Sequence, residues 1–222
     1  MRPLLYRGDD VRCACCGGEF RGFADHGRIR AVRCPRCGSL PRHRLLVRWF
    51  GDHQRLLDEA GDLLHFAPER CLRGLFRGRE RLRYVSADLD SALAEHHFDI
   101  QEIPFEDDSF DAILCSHVLE YVPDERRALG ELRRVLRPGG WALLLVPLHG
   151  RERTEELGLG ASPHHDVRRY GLDFERRLGD AGLEVALERP AARLPEESVR
   201  RHGLNPDDVL FLCHEPRGGV DA

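Results

Sequence analysis

The chain has 222 residues, of which 41% are hydrophobic and 32% are charged, and its formal net charge is −4. This length can bury one substantial core and leaves about fifty residues for a small additional module. The sequence contains no run of 18 apolar residues and no apolar signal-peptide core. It therefore excludes a membrane span and predicts a soluble, cytoplasmic protein.

Arginine supplies all 34 basic residues, and it is distributed unevenly. Residues 1–83 carry a net charge of +8, whereas residues 84–222 carry −12. The basic N-terminal part predicts a surface that meets phosphate groups or an acidic partner. An ordinary solvated surface is the alternative.

Two matched cysteine pairs near the N-terminus predict a metal site. The segments Cys13–Gly17 and Cys34–Gly38 each place two thiols three positions apart, and 17 residues separate the two pairs. Four thiolates form a closed, tetrahedral zinc site, which stabilises a fold and leaves no position for a substrate. The expected ligands are Cys13, Cys16, Cys34 and Cys37. Cys15 is expected to point away, and two structural disulfides are the alternative.

Short β-type segments at residues 20–23 and 29–33 complete a zinc ribbon over residues 1–40. Pro41 then begins a helix whose apolar residues recur at near-helical spacing until Gly61 ends it. Residues 41–61 are therefore expected to connect the ribbon to a larger domain over residues 62–222.

From residue 63 onward, strands and helices alternate. Apolar strands are predicted at 63–67, 82–87, 110–115, 141–147, 183–188 and 209–214. Helices are predicted at 69–77, 91–96, 123–136 and 167–181, with Pro138-Gly139-Gly140 as a break. No helix is evident between the last two strands, which favours a final antiparallel hairpin. Such alternation requires parallel strands with helical crossovers, so we expect a doubly wound α/β sheet.

Three blocks in the middle of the chain carry a family resemblance. They are Asp99–Ile113 (DIQEIPFEDDSFDAI), Ser116–Asp124 (SHVLEYVPD) and Glu131–Gly140 (ELRRVLRPGG). In order, spacing and strand-or-helix context, the set resembles class I S-adenosylmethionine-dependent methyltransferases with a type 11-like domain. The resemblance implies a Rossmann-like, mostly parallel seven-stranded sheet, preceded here by the zinc ribbon. It also implies S-adenosylmethionine as cofactor.

The resemblance assigns cofactor-binding residues to the carboxyl ends of the strands, where doubly wound sheets bind their ligands. Asp88 is expected to accept from the ribose hydroxyls and Asp99 from the adenine amine. Leu89 and Ile100 flank the base, and Ser116 belongs to the same set. Each aspartate also has a structural interpretation, Asp88 as a helix N-cap and Asp99 as a turn residue.

One segment, Leu63–Cys71 (LLHFAPERC), departs from the family pattern. Family members carry an acidic residue followed by a glycine-rich loop; here His65 replaces the acid, and Ala67, Glu69 and Cys71 occupy the glycine positions. Ala67 is small enough for close approach of the cofactor, and Glu69 is expected to accept from its ammonium group. Loss of cofactor binding is the alternative. The Ala-Pro-Glu sequence looks like a trait of bacterial methyltransferase-like proteins that share the run at residues 34–44.

Candidates for catalysis follow the fourth and fifth strands. Methyl transfer is an in-line displacement, and a base is needed only for a hydroxyl or a protonated amine. His117 and Tyr121 lie where substrate meets cofactor in this fold. His165 is the candidate base from an irregular segment, residues 148–166, which is expected to form a mobile lid. Arg168, Arg169 and Tyr170, which follow this segment, are expected to bind an anionic substrate or to face water.

Three functions are open at this point. The first is a methyltransferase acting on a hydroxyl or amine of a small molecule, such as a sugar or specialised metabolite. The second is a zinc-ribbon RNA methyltransferase, favoured by the basic N-terminal part with Arg42 and Arg44. The third is a non-catalytic binding module that keeps the fold. The ribbon lacks a clear row of aromatic residues for stacking on bases, so the small-molecule function is preferred over RNA.

Overall fold

The computed structural model describes residues 5–148, 150–158 and 165–216, and its contacts divide them into two compact units. The first unit contains the described residues of Met1–Glu59 together with Glu69–Arg79 and Arg189–Asp208. The second contains Ala60–Pro68 and the described residues of Glu80–Glu188 and Val209–Ala222. Within the described residues, no helix is long and apolar enough to cross a membrane.

The first unit is built from short strands and four helices, numbered here in chain order. Its antiparallel strand pairs are β1 (Val11–Arg12) with β2 (Glu19–Phe20), and β3 (Ala24–His26) with β4 (Ile29–Arg33). Its helices are α1 (Pro41–Asp52), α2 (Gln54–Glu59), α3 (Arg73–Phe76) and α6 (Glu196–His202). Helix α1 starts at the predicted proline, which suits the first helical turn because its missing N–H would have no partner there.

Helix α1 provides much of the first unit's core. Its inner face buries Leu45, Leu46, Trp49 and Phe50. The Phe50 ring packs edge-on against Phe76 of α3, with 5.7 Å between ring centroids. The predicted helical run is present, although it is interrupted between α1 and α2.

The second unit contains a seven-stranded sheet. Its strands are β5 (Asp62–Phe66), β6 (Arg83–Asp88), β7 (His96–His97), β8 (Phe110–Ser116), β9 (Leu136–Leu145), β12 (Glu184–Glu188) and β13 (Leu210–His214). They lie in the order β12-β13-β9-β8-β5-β6-β7, and β13 runs in the opposite direction to the other six. The unit's remaining elements are α4 (Glu125–Val135), α5 (Phe174–Asp180) and the hairpin of β10 (Glu155–Glu156) and β11 (Arg168–Arg169). The predicted doubly wound, mostly parallel sheet is confirmed.

Burial on both faces of the sheet explains why the central strands are rich in apolar residues. Strands β5, β8 and β9 lie in the middle of the sheet, and Leu64, Ile113 and Leu144 are fully buried there. A parallel strand covered on both faces has no solvent side for alternating polar residues. Helix α4 begins where predicted, because the Asp124 carboxylate accepts from the Arg127 N–H at 3.0 Å and caps it.

Several predictions of secondary structure were wrong. Residues 91–95 form turns instead of a helix, and the helix expected over 167–181 begins only at Phe174, after β11. The chain between β12 and β13 does contain a helix, α6, although the two strands pair antiparallel as expected. Pro138-Gly139-Gly140, which was predicted to be a break, lies inside β9. Gly139 adopts a φ of 78° there, next to an irregularity in the pairing of β9 with β8.

Candidate functional site

A cavity of about 420 Å³ lies in the second unit, at the carboxyl ends of β5, β6 and β8. Its position is the one at which doubly wound sheets bind ligands, and its volume falls within the range of small-molecule pockets. Seven predicted site residues line it, namely Ala67, Asp88, Leu89, Asp99, Ile100, His117 and Tyr121. These residues come from four separate segments of the sequence, and the fold brings them to one place.

Two residues that line the cavity have left-handed backbone conformations. Ala67 and His117, which follow β5 and β8, have φ values of 52° and 55°. Their amides remain bonded to neighbouring strands, Ala67 to the Ala87 carbonyl and His117 to the Leu145 carbonyl, both at 2.9 Å. Such backbone costs a non-glycine residue roughly 1–2 kcal/mol, and it concentrates at functional sites. Ala67 thus adopts a left-handed conformation that glycine would reach at no steric cost.

The two aspartates combine a position in the cavity with a local structural role. Asp88 Oδ1 accepts from the backbone N–H groups of Asp90 at 3.1 Å and Ser91 at 3.0 Å. Asp99 accepts from the Gln101 backbone N–H and from its side-chain amide, both at 2.8 Å. Asp88 forms a turn rather than the helix N-cap considered above. Each carboxylate has four lone-pair sites, so these bonds leave capacity for a ligand.

The apolar lining comes from residues of different exposure. Leu89 is 59% exposed, whereas Ile100 is 4% exposed, so the cavity has one open and one closed apolar wall. Phe98 also lines it and packs edge-on against Phe66, but the sequence analysis did not identify it. Ser116 is buried at the end of β8 and is not among the described residues that line the cavity.

His117 is paired with a carboxylate that the sequence analysis missed. Glu120 Oε1 lies 3.2 Å from His117 Nδ1, and the Glu120 side chain is 1% exposed. A buried carboxylate on one ring nitrogen fixes the tautomer and directs the other nitrogen's lone pair outward. The signal was present in the sequence, since Glu120 stands three residues after His117 in the second family block.

Arg168 is a structural residue rather than an exposed site for an anion. Its side chain is 4% exposed, and its guanidinium donates to the carbonyls of Leu119, Val122 and Pro123 at 2.7, 2.6 and 3.1 Å. These carbonyls belong to the loop that carries Glu120 and Tyr121, so Arg168 holds that loop in place. Tyr170 is buried as well, and burial raises the pKa of its hydroxyl.

The described part of the expected lid is held by hydrogen bonds. Strand β10 pairs with β11, and the Thr154 N–H and hydroxyl both donate to Asp173 Oδ1 at 2.7 Å. Among the described residues, none of the segment 148–166 lines the cavity, and His165 is exposed. His149 and His164 lie outside the described residues. A closing movement and a catalytic role for His165 stay predictions.

The segment Leu63–Cys71, which departs from the family pattern, has residues in both units. Ala67 lines the cavity, whereas Glu69 belongs to the first unit, where its Oε1 lies 3.1 Å from His43 Nε2. Glu69 is not among the described residues that line the cavity. His65 is fully buried in β5, with Nδ1 2.9 Å from the Tyr84 hydroxyl. His65 therefore replaces the family's acid with a core residue.

The four predicted metal ligands converge in the first unit. Their sulfur atoms all lie within 4.8 Å of one another, and the separations are 3.6 Å for Cys13–Cys37 and 3.7 Å for Cys16–Cys34. Sulfurs bound to one zinc ion in a tetrahedron are about 3.8 Å apart, whereas a disulfide requires about 2.05 Å. The donor set and its spacing fit zinc, and the alternative of two disulfides does not fit.

A buried arginine stands beside this cluster. Arg44 is 0% exposed, and its guanidinium donates to the carbonyls of Val32, Ser39, His202 and Gly203 at 2.6–3.0 Å. It also lies over the Phe23 ring, 3.9 Å from its centroid. The expectation that Arg44 contacts phosphate is therefore wrong, because all of its donors face the interior of the first unit.

Comparison with known proteins identifies a family that part of the chain matches. Residues 69–144 match the family described as a methyltransferase domain. The chain is 34% identical over 112 residues to 27-O-demethylrifamycin SV methyltransferase of Amycolatopsis mediterranei, covering 46% of this chain and 39% of that protein. It is 32% identical over 145 residues to the ubiquinone/menaquinone biosynthesis C-methyltransferase UbiE of Pectobacterium carotovorum, covering 65% of this chain and 51% of that protein. The chain thus spans about half or less of the length of these relatives.

A solved structure shows the same fold with another activity. The [4+2]-cyclase SpnF is 16% identical, has a TM-score of 0.56, and the match covers 89% of this chain and 86% of that chain. At this identity the likeness concerns the fold alone. Since one fold hosts several chemistries, the reaction has to be argued from the cavity's own residues.

Proposed function

Because residues 69–144 match a family described as a methyltransferase domain, we propose that the chain transfers a methyl group from S-adenosylmethionine to a small molecule. The acceptor atom is a hydroxyl or amine, on a sugar or specialised metabolite. The observation that carries the proposal is the 420 Å³ cavity, which is lined by five of the seven expected cofactor residues and by His117, whose Nδ1 lies 3.2 Å from the buried Glu120 carboxylate. A pocket of this size suits a small ligand, and the two named relatives both act on small molecules.

The residues present fit the cofactor. Asp88 and Asp99 supply carboxylate acceptors for the ribose hydroxyls and the adenine amine, and Leu89 and Ile100 supply apolar contacts for the base. Ala67 brings its backbone close to the ligand in a glycine-like conformation. When bound, S-adenosylmethionine supplies a methyl group on a positively charged sulfur.

Cofactor binding is the first prediction. Asp88→Asn and Asp99→Asn should each weaken binding of S-adenosylhomocysteine by about 1–3 kcal/mol, because each loses a charge-assisted hydrogen bond. Calorimetric titration measures the effect. Asp180→Asn is the matched control, since Asp180 is an exposed carboxylate of the second unit that does not line the cavity. A parent protein that binds no S-adenosylhomocysteine at millimolar concentration would favour the non-catalytic binding module.

His117 is proposed as the base that takes a proton from the acceptor, and Glu120 as its positioning residue. The carboxylate holds the proton of Nδ1, which leaves Nε2 as the proton acceptor. Tyr121, which is 37% exposed and lines the same cavity, is placed to contact the acceptor. Arg168 maintains the loop between these residues through its three carbonyl bonds.

The second prediction separates catalysis from binding. Glu120→Gln should lower kcat about a hundredfold, because His117 loses the carboxylate that fixes its tautomer. Its affinity for S-adenosylhomocysteine should stay unchanged. The assay measures S-adenosylhomocysteine release across a panel of phenols, sugars and amines. Glu102→Gln is the control, because Glu102 is a highly exposed carboxylate paired with Arg127. Equal rates in both variants would contradict the role given to Glu120.

RNA is tested by the same assay with a different acceptor. Structured RNA should give no methyl transfer above background, and filter binding should show no affinity that falls log-linearly with salt. The buried position of Arg44 removes one of the two arginines that favoured RNA. Salt-dependent RNA binding together with methyl transfer to RNA would replace the small-molecule proposal.

A structural zinc ion is the second cofactor proposed. The four thiolates of Cys13, Cys16, Cys34 and Cys37 would hold it, with the Ser39 hydroxyl 3.1 Å from Cys13 Sγ as an additional hydrogen-bond partner. Four protein ligands complete a tetrahedral shell. The ion would therefore stabilise the first unit and would not take part in methyl transfer.

A further inference from the structure

Gln101 is a polar residue of the cavity that the sequence analysis did not identify as functional. Its side-chain amide donates to Asp99 Oδ2 at 2.8 Å, and its backbone N–H donates to Asp99 Oδ1, also at 2.8 Å. Both residues line the cavity. Each oxygen of the Asp99 carboxylate therefore accepts one bond from Gln101, and a carboxylate bonded at both oxygens cannot turn freely.

The carbonyl oxygen of the Gln101 amide is bonded to helix α4. This atom, Oε1, accepts from the backbone N–H of Asp124, the N-cap residue of that helix, at 2.8 Å. A backbone N–H can only donate and a carboxylate can only accept, so a single orientation of the amide satisfies both partners. Gln101 is therefore held in place itself, and it connects Asp99 to the start of α4.

The segment that carries Asp99 has a second attachment to the same helix. The Ile103 N–H donates to Glu131 Oε2 at 2.8 Å, and Arg134 donates to the Ile103 carbonyl at 2.9 Å. Residues 99–103 are thus joined to α4 at its N-cap and again along its length. Because all of these bonds lie within the chain, they fix the orientation of the Asp99 carboxylate without help from a ligand.

We propose that Gln101 is a positioning residue, which holds Asp99 so that the cavity selects a 6-aminopurine and rejects a 6-oxopurine. The inference rests on the proposed function, in which Asp99 accepts from the adenine amine. A 6-oxopurine carries an oxygen at that position, and its nearest donor is the adjacent ring N–H. Asp99 could reach this donor only by turning and giving up its bonds to Gln101. A site built to hydrogen-bond one group of a ligand strongly rejects the analogue that lacks it.

The test compares the binding of S-adenosylhomocysteine with that of S-inosylhomocysteine, which carries a 6-oxopurine, by calorimetric titration. The parent should bind S-adenosylhomocysteine at least about a hundredfold more tightly. Gln101→Glu keeps an acceptor for the Asp124 N–H but replaces the donor to Asp99 with a second acceptor. Gln101→Met removes both side-chain bonds at similar length. In each variant the preference should fall about tenfold, because the donor that holds Asp99 is lost.

Gln54→Glu is the matched control, because Gln54 is the chain's other glutamine and is exposed on α2. It should leave both affinities unchanged, and circular dichroism should show that every variant is folded. A general structural role for Gln101 would weaken both ligands equally and keep their ratio. A ratio that is retained in both folded Gln101 variants, or a parent with equal affinity for the two compounds, would therefore overturn the inference.

The same titrations separate this inference from the proposed function. A parent that binds neither compound would overturn both the role of Gln101 and the proposed cofactor. The expected loss of preference, found in a protein that methylates no acceptor, would support the role of Gln101 and contradict only the proposed reaction.

Discussion

Replacing Cys34 with serine is expected to abolish zinc binding and to unfold the first unit. Cys34 is buried, and its sulfur lies 3.7 Å from that of Cys16 in the four-thiol cluster. The ribbon's own core is small, since Phe20 and Phe23 are the aromatic residues buried with the cysteines. Structural zinc contributes about 10–16 kcal/mol of apparent binding energy in small modules, which is more than such a core can replace.

The segment Cys13–Gly17 contains a matched control for this prediction. Cys15 lies between two ligands but is absent from the set of four, so Cys15→Ser should keep one equivalent of zinc while Cys34→Ser keeps none. Metal analysis of protein prepared without added zinc measures the stoichiometry. Circular dichroism after addition of a chelator reports the fold. A first unit that stays folded without metal would rule out a structural role for zinc.

Arg44→Met is expected to destabilise the first unit by at least about 3 kcal/mol, although methionine nearly preserves the buried volume. The substitution removes the guanidinium's hydrogen bonds to the partly buried carbonyls of Val32, His202 and Gly203, and a hydrogen bond to a charged group contributes about 1.5–3 kcal/mol. It also removes the contact with the Phe23 ring. Arg30→Met on exposed β4 should change stability by less than about 0.5 kcal/mol.

The position of the two tryptophans allows the effect to be assigned to one unit. Trp49 lies in the first unit and Trp141 in the second. In a Trp141→Phe background, urea unfolding followed by fluorescence reports the first unit through Trp49. Unchanged midpoints for Arg44→Met in this background would show that the four carbonyl bonds contribute little to stability.

The parallel sheet could be predicted from the sequence because its signal is local and strong. Strands β5, β8 and β9 each contain a short run of buried apolar residues, and the family blocks follow one another in a fixed order along the chain. The roles of Asp88 and Asp99 came from the family resemblance; Asp88 ends β6 and Asp99 follows β7, whereas His117 directly follows β8. Short elements were harder, because two-residue strands such as β7 and β11 have no periodicity to detect.

The first unit could be predicted only in part, because its key contacts are distant in the sequence. The four ligand cysteines carry a recognisable spacing, and the structure gathers them. By contrast, Arg44 in a basic segment looks like a phosphate contact, and only folding shows that residues 202 and 203 supply its acceptors. The pairing of His43 with Glu69 is hidden for the same reason.

The hydrogen bonds of Arg44 also limit how early the first unit can finish folding during synthesis. Its bonds to the carbonyls of His202 and Gly203 span 158 and 159 residues. At about 5–20 residues per second, roughly 10–30 s pass between the emergence of Arg44 from the ribosome and that of these carbonyls. The four thiols are made first, yet the hydrogen bonds of Arg44 can be completed only after residues 202 and 203 have emerged. During that interval a nascent chain carries the four thiols in an incomplete unit, and early capture of the proposed zinc ion would protect them.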